Sequence, residues 1–83
     1  MLINLIKKAS QKIRPFIPQT PVIHSSSFSS RYKRRVFLKI ENLQKTGSFK
    51  VRGAYSKILS LSKKELKNGV ITASSCNHAQ GVA

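Results

Sequence analysis

The sequence has no tryptophan, one cysteine and only two acidic residues, Glu41 and Glu65, and each scarcity excludes something. A single thiol, Cys76, cannot close an internal disulfide framework, so a reducing compartment, the cytoplasm, is the expected setting. No Cys/His spacing resembles a zinc site, and no metal is expected. No apolar run approaches the roughly 20 residues needed to span a bilayer. The short Met1–Ile6 run precedes its positive charges, the reverse of a secretory signal. Internal repeats and Gly/Ser linkers are also missing. The 83 residues therefore amount to at most one small domain, burying only about 60% of the surface its unfolded chain exposes.

What is abundant is positive charge. Sixteen Lys plus Arg against two acids give +14, and in so short a chain that balance suggests a nucleic-acid binder. Residues 1–40 hold nine basic residues, no acid and the serine cluster Ser25-Ser26-Ser27, Ser29-Ser30, a composition shared with organelle transit peptides. The same stretch also carries structural punctuation that a cleaved leader does not need. Leu2, Ile3, Leu5, Ile6, Ala9 and Ile13 fall on one helical face, Lys7, Lys8 and Lys12 fall elsewhere, and Pro15 ends the pattern. An amphipathic first helix is expected. A membrane-surface helix has this pattern too, but with no tryptophan and two strongly apolar turns, docking on the protein's own core is favoured. Pro15, Pro18 and Pro21 make Arg14–Pro21 an extended connection. Arg31, Lys33, Arg34 and Arg35 form a basic knot accompanied only by Tyr32. A nucleic-acid groove interleaves charge with aromatics, so the knot reads as a solvated turn, with no specific nucleic acid expected.

The next segment runs from a strand into a helix. Val36-Phe37-Leu38-Lys39-Ile40-Glu41 is β-branched and aromatic and of strand length. Val51, Ala54, Tyr55, Ile58, Leu59 and Leu61 recur at three- and four-residue intervals, a helical stripe that Ser48 is placed to cap. Lys50 falls in the first turn of that helix. Unpaired N–H groups and the positive end of the macrodipole disfavour an ammonium there, which favours the nucleophilic amine and makes a Schiff base with an aldehyde feasible. The plainer alternative is a solvated surface lysine.

A third segment repeats the arrangement. Lys63–Lys67 suggests a short helix ended by Gly69, Val70–Ala73 reads as a second buried strand, and Asn77 onward is helix-competent. Strand, helix, strand implies an α/β chain built on a βαβ unit with parallel strands. The turns Gly47–Lys50 and Ser74–His78 then lie at the same end of the sheet and face one ligand. The hydroxyls and N–H groups of Ser74-Ser75-Cys76-Asn77 suit a carboxylate or phosphate, although Ser and Asn are also ordinary helix caps.

The run Glu41-Asn42-Leu43-Gln44-Lys45-Thr46-Gly47-Ser48-Phe49-Lys50-Val51-Arg52-Gly53-Ala54 resembles the cofactor-attachment signature of the threonine dehydratase and serine racemase family, pyridoxal-phosphate enzymes of fold type II. Thr20-Pro21-Val22 followed by Ser25 is similar to an upstream element of that family. Ala73-Ser74 and Asn77-His78-Ala79-Gln80-Gly81-Val82-Ala83 are similar to its substrate-carboxylate loop. The resemblance implies an N-terminal helix and Pro-rich connection over 1–19 and a partial pyridoxal-phosphate-binding α/β domain over 20–83. It also implies that Lys50 is the Schiff-base lysine and the base that moves the α-proton, that Phe49 packs beside the cofactor ring, and that Asn77 hydrogen-bonds the ring's 3-hydroxyl. Ser74, Ser75, Asn77 and His78 would surround the substrate carboxylate, while Arg52 would be structural.

The implied reaction is elimination from a small hydroxy amino acid, threonine to 2-oxobutanoate or serine to pyruvate, with release of ammonia. This is a lyase of amino-acid metabolism such as isoleucine biosynthesis, with full-length relatives homo-oligomeric and no membrane partner. A racemase would need a second acid or base that no residue here identifies. Two features depart from the family pattern. Cys76 stands where the loop usually has glycine, so a side chain enters a place of close backbone approach. The family's glycine-rich phosphate cup also belongs to chain beyond Ala83, so the sequence is expected to be an N-terminal piece that does not turn over substrate by itself.

Overall fold

The computed structural model describes all residues from Met1 to Ala83. Helix α1 spans Leu2–Ile13, strand β1 Val22–His24, helix α2 Ser26–Tyr32 and strand β2 Phe37–Lys39. A single 3-10 turn covers Glu41–Leu43, followed by α3 at Lys50–Leu59, α4 at Lys63–Lys67 and α5 at Asn77–Val82.

The amphipathic periodicity of the first thirteen residues does form one helix, and its chain ends in a turn at Arg14, just before Pro15. The Ile17 amide still donates to the Ile13 carbonyl at 2.9 Å, so the chain coils past the proline and brings Ile17 under the helix. Ile13 and Ile17 then meet Val51 of α3, and Tyr55 closes over them with its ring stacked on Phe16 at 5.5 Å. Each of these aliphatic side chains contributes about 2 kcal/mol on leaving water. The first two turns of α1 extend past this cluster, leaving Leu2, Ile3, Leu5 and Ile6 exposed. No helix is long and apolar enough to cross a membrane.

The sheet differs from the expected one. β1 and β2 pair antiparallel, Val22 opposite Lys39, Ile23 opposite Leu38 and His24 opposite Phe37, and they are the whole sheet. Helix α2 makes the connection: Ser25 caps it by accepting from the Phe28 amide at 3.2 Å, and Lys33 ends it in the left-handed conformation at φ 51°. Antiparallel neighbours need only a short connection, and the stretch between His24 and Phe37, with α2 in it, supplies it. The expected parallel βαβ unit is not present among these residues. Val70–Ala73 has no regular secondary structure, with Val70 and Ile71 exposed. A buried parallel strand exists only where neighbours supply its hydrogen bonds on both sides, and no strand pairs with this segment.

Helix α4 starts with a capping box in which Ser62 accepts from the Glu65 amide and Glu65 accepts from the Ser62 amide. That double contact, led by the backbone hydrogen bond from Ser62, holds the Glu65 carboxyl below its ordinary range.

Candidate active site

Lys50 is the first residue of α3, and the loop that delivers it begins at Gln44. The Gly47 amide donates to the Gln44 carbonyl at 2.8 Å, closing a turn in which Gly47 has φ +76°. A β-carbon there would touch nothing within 4 Å, so glycine is required by backbone conformation alone. Ser48 does not cap the helix as expected. The N-cap is Phe49, already helical in its dihedrals, and no side chain caps α3. Ser48 Oγ is instead shut away from solvent without a partner. Phe49 is 64% exposed, and the exposed Lys50 amine makes no hydrogen bond or ion pair.

The best-bonded group nearby is Glu41. Its carboxylate accepts from the Arg52 Nε and, at 3.1 Å, from Arg52 Nη2. It accepts also from the Thr20 hydroxyl and, at 3.2 Å, from Gln44 Nε2. The Arg52 hydrogen bonds, opposed by burial and aided by Thr20 and Gln44, hold the Glu41 carboxyl down at about 2. In return Glu41 raises the pKa of Arg52. Arg52 thus has a structural role. Glu41, Thr20 and Gln44 are the residues that sequence reasoning left unassigned. The available signal was scarcity: Glu41 is one of two acids in a strongly basic chain.

The second turn approaches α3 through α5. Gly81 packs on α3 so closely that a β-carbon would lie 3.2 Å from Val51 Cα and 3.3 Å from Val51 N. The contact is one residue from Lys50, so α5 is seated at the head of the lysine helix. Ser74 Oγ accepts from the Ala79 amide at 2.9 Å and ties the turn to α5. Cys76 is a free, exposed thiol at the N-cap of α5, and its φ of −171° is not the left-handed conformation that would call for glycine. Ser75, Asn77 and His78 are exposed. No side-chain hydrogen bond joins Phe49 or Lys50 to Ser74, Ser75, Asn77 or His78. A groove of about 1090 Å³ lies between Ile17, Tyr55, Gln44 and Gly81, whereas His78 lines a separate hollow of about 380 Å³ against Gly53 and Lys57. Lys50 lines neither. Packing therefore brings the two turns to the same pair of helices without closing them around one cavity.

An exposed lysine at the head of a helix, a glycine turn before it and a second, hydroxyl-rich turn carried by α5 belong to a small α/β chain. The chain belongs to the pyridoxal-phosphate dependent enzyme family, which it matches over residues 13–83. It is 51% identical over 78 residues to the L-threonine ammonia-lyase of Thermotoga maritima, covering 94% of this chain and 20% of that protein. It is 53% identical over 79 residues to the catabolic L-threonine dehydratase TdcB of Staphylococcus aureus, covering 94% and 23%. Its fold superposes on the crystal structure of serine racemase from Dictyostelium discoideum with a TM-score of 0.83 at 47% identity, covering 93% of this chain and 25% of that one. The chain thus spans between a fifth and a quarter of the length of these relatives, and its architecture is a piece of the fold type II α/β scaffold.

The residues present fit the cofactor of this family. The requirement is a primary amine not engaged elsewhere, and Glu41, the acid nearest in sequence to Lys50, is fully occupied by Arg52, Thr20 and Gln44. The orphaned Ser48 hydroxyl two residues before Lys50 is a polar group in want of a partner.

Proposed function

We propose that this chain is the lysine-bearing part of a threonine ammonia-lyase, in which Lys50 Nζ holds pyridoxal 5'-phosphate. When bound, that group supplies the electron sink for loss of the α-proton and β-hydroxyl of a hydroxy amino acid. Lys50 then acts as the base that carries the α-proton. Phe49, with most of its ring uncovered, packs beside the cofactor ring, and Asn77 donates to the ring's 3-hydroxyl. Ser74, Ser75, Asn77 and His78 hold the substrate carboxylate, orienting threonine or serine for conversion to 2-oxobutanoate or pyruvate and ammonia.

The observation that carries this reading is the identity of 51% and 53% to proteins named for threonine deamination, combined with an unpaired lysine amine at the matched signature. A second reading, a serine racemase-like protein, is favoured by the superposition on the Dictyostelium enzyme. The whole protein is proposed to be cytoplasmic and homo-oligomeric, with an amino-acid substrate and without a specific nucleic-acid or membrane partner.

The test is spectroscopic. The chain is incubated with pyridoxal phosphate, and the absorbance band of lysine-bound cofactor is compared between the parent chain and Lys50→Ala. Loss of the band in the variant supports the reading, and a band of undiminished intensity refutes it. Ammonia released from threonine but not from serine, or racemised serine without ammonia, separates the two substrates readings in the whole protein.

A further inference from the structure

The loop carrying Lys50 is weakly held along its own length. Between Gln44 and Arg52 its internal ties are the Gly47 turn, the Arg52 amide donating to the Phe49 carbonyl at 3.1 Å and a long contact from Thr46 Oγ1 to the Ser48 carbonyl at 3.5 Å, and no side chain caps α3. Its two ends, by contrast, meet at one group. Gln44, 4% exposed, donates from Nε2 to Glu41 at 3.2 Å and to the Pro18 carbonyl at 3.1 Å. Arg52 forks onto both oxygens of the same carboxylate from the far side of the loop. The Thr20 hydroxyl, 7% exposed, fixes that carboxylate to the Pro-rich connection, and Lys39 Nζ holds the Thr20 carbonyl at 2.6 Å from β2.

We propose that Glu41 is the positioning residue of the Lys50 loop: one carboxylate fastens both flanks of the loop, through Gln44 before it and Arg52 after it, to Thr20, and thereby sets where the Lys50 amine stands. The inference rests on Lys50 being the cofactor lysine. A carboxylate is needed because it offers only acceptors. An amide of the same shape would turn an NH₂ group toward one of its three donors and lose the charge-assisted fork. With one flank free, the amine of a loop with so few internal ties samples many positions, and displacements of about 1 Å are enough to cost on the order of a hundredfold in a reaction between held groups.

The test reads where the cofactor attaches. The full chain is incubated with pyridoxal phosphate and reduced with borohydride, and the label on each lysine is counted by peptide mass spectrometry, with helix content followed by far-ultraviolet circular dichroism. In the parent chain Lys50 takes about tenfold more label than the average of the other lysines, and in Glu41→Gln that preference disappears while helix content stays the same. Ser62→Ala, which breaks the α4 capping box far from the loop, loses helix content and keeps the preference. If Glu41→Gln also loses helix, Arg52→Lys carries the same expectation, since it keeps the cation and removes the fork.

Equal preference for Lys50 in the parent chain and in the Glu41 and Arg52 variants overturns the positioning role and leaves Lys50 as the cofactor lysine. So does a fall in preference that merely follows helix content across all variants, Ser62→Ala included. No preference for Lys50 in the parent chain overturns the cofactor-lysine reading and this inference with it.

Discussion

Gly81→Ala sets two effects of opposite sign against each other at the α3–α5 contact. In a free helix, replacing glycine by alanine stabilises by about 1 kcal/mol, because glycine loses the most backbone entropy on ordering. Here the new methyl lands 3.2 Å from Val51 Cα and 3.3 Å from Val51 N, with Ala54 Cβ at 3.4 Å. Two of these three neighbours are backbone atoms of α3, and Val51 is 7% exposed within the Ile13–Ile17 cluster, so the obstacle cannot swing aside. The helices must separate by a few tenths of an ångström, and overpacking of this kind costs about 1–3 kcal/mol. The net expectation is destabilisation by about 1 kcal/mol, concentrated in α5. Urea denaturation followed by circular dichroism measures the total, and amide exchange at Gln80 and Ala83, whose N–H groups donate to Cys76 and Ala79 at 3.1 and 3.0 Å, reports α5 separately. A variant more stable than its parent, with α5 amides better protected, would show that helix propensity outweighs the clash and that the close crossing does not seat the Ser74–His78 turn.

Two further outcomes follow from the same geometry. Glu41 titrates at about 2 in the folded chain against 4.5 unperturbed, so its stabilisation is complete above pH 4.5 and is lost as pH falls toward 2. Linkage gives an upper bound of about 3 kcal/mol, reduced to about 1 kcal/mol because the Arg52 side chain is 31% exposed and solvent screens the pair. Denaturation midpoints measured from pH 6 to pH 2.5 should therefore decline more steeply in the parent chain than in Glu41→Gln, and parallel curves would contradict the assignment. Lys33→Gly should stabilise by about 0.5–1 kcal/mol by relieving the left-handed cap of α2 at φ 51°. A lower thermal midpoint would show that Lys33 makes compensating contacts.

Elements governed by local chemistry were legible before any coordinates. The apolar spacing of α1 and its stop near Pro15, the stripe of α3, the short helix over Lys63–Lys67 and the helix beginning at Asn77 all depend on neighbours within a few residues. Part of the basic knot is the expected turn, since Lys33 ends α2 and Arg34 folds back to donate to its carbonyl at 3.1 Å, whereas Arg31 lies within α2. β1 and α2 were not anticipated, because Val22–His24 is too short to show alternation and Ser26–Tyr32 is serine-rich with no apolar stripe. The expected strand at Val70–Ala73 failed in the opposite way. Its composition is right for a buried strand, but a strand is defined by its hydrogen-bonding neighbours, and composition does not say whether any are present.

The same division applies to the site. Sequence alone determined the candidates, Lys50 within its fourteen-residue signature and the Ser74–His78 turn, because residue type and spacing carry the resemblance. Tertiary structure alone decided that Glu41 gathers Thr20, Gln44 and Arg52 around one carboxylate, that Ser48 is an orphan and not a cap, and that Gly81 seats α5 one residue from the lysine. The physical reason is range. Helix periodicity and turn chemistry act between residues a few positions apart, whereas a carboxylate that joins positions 20, 44 and 52 exists only once the chain has brought them together.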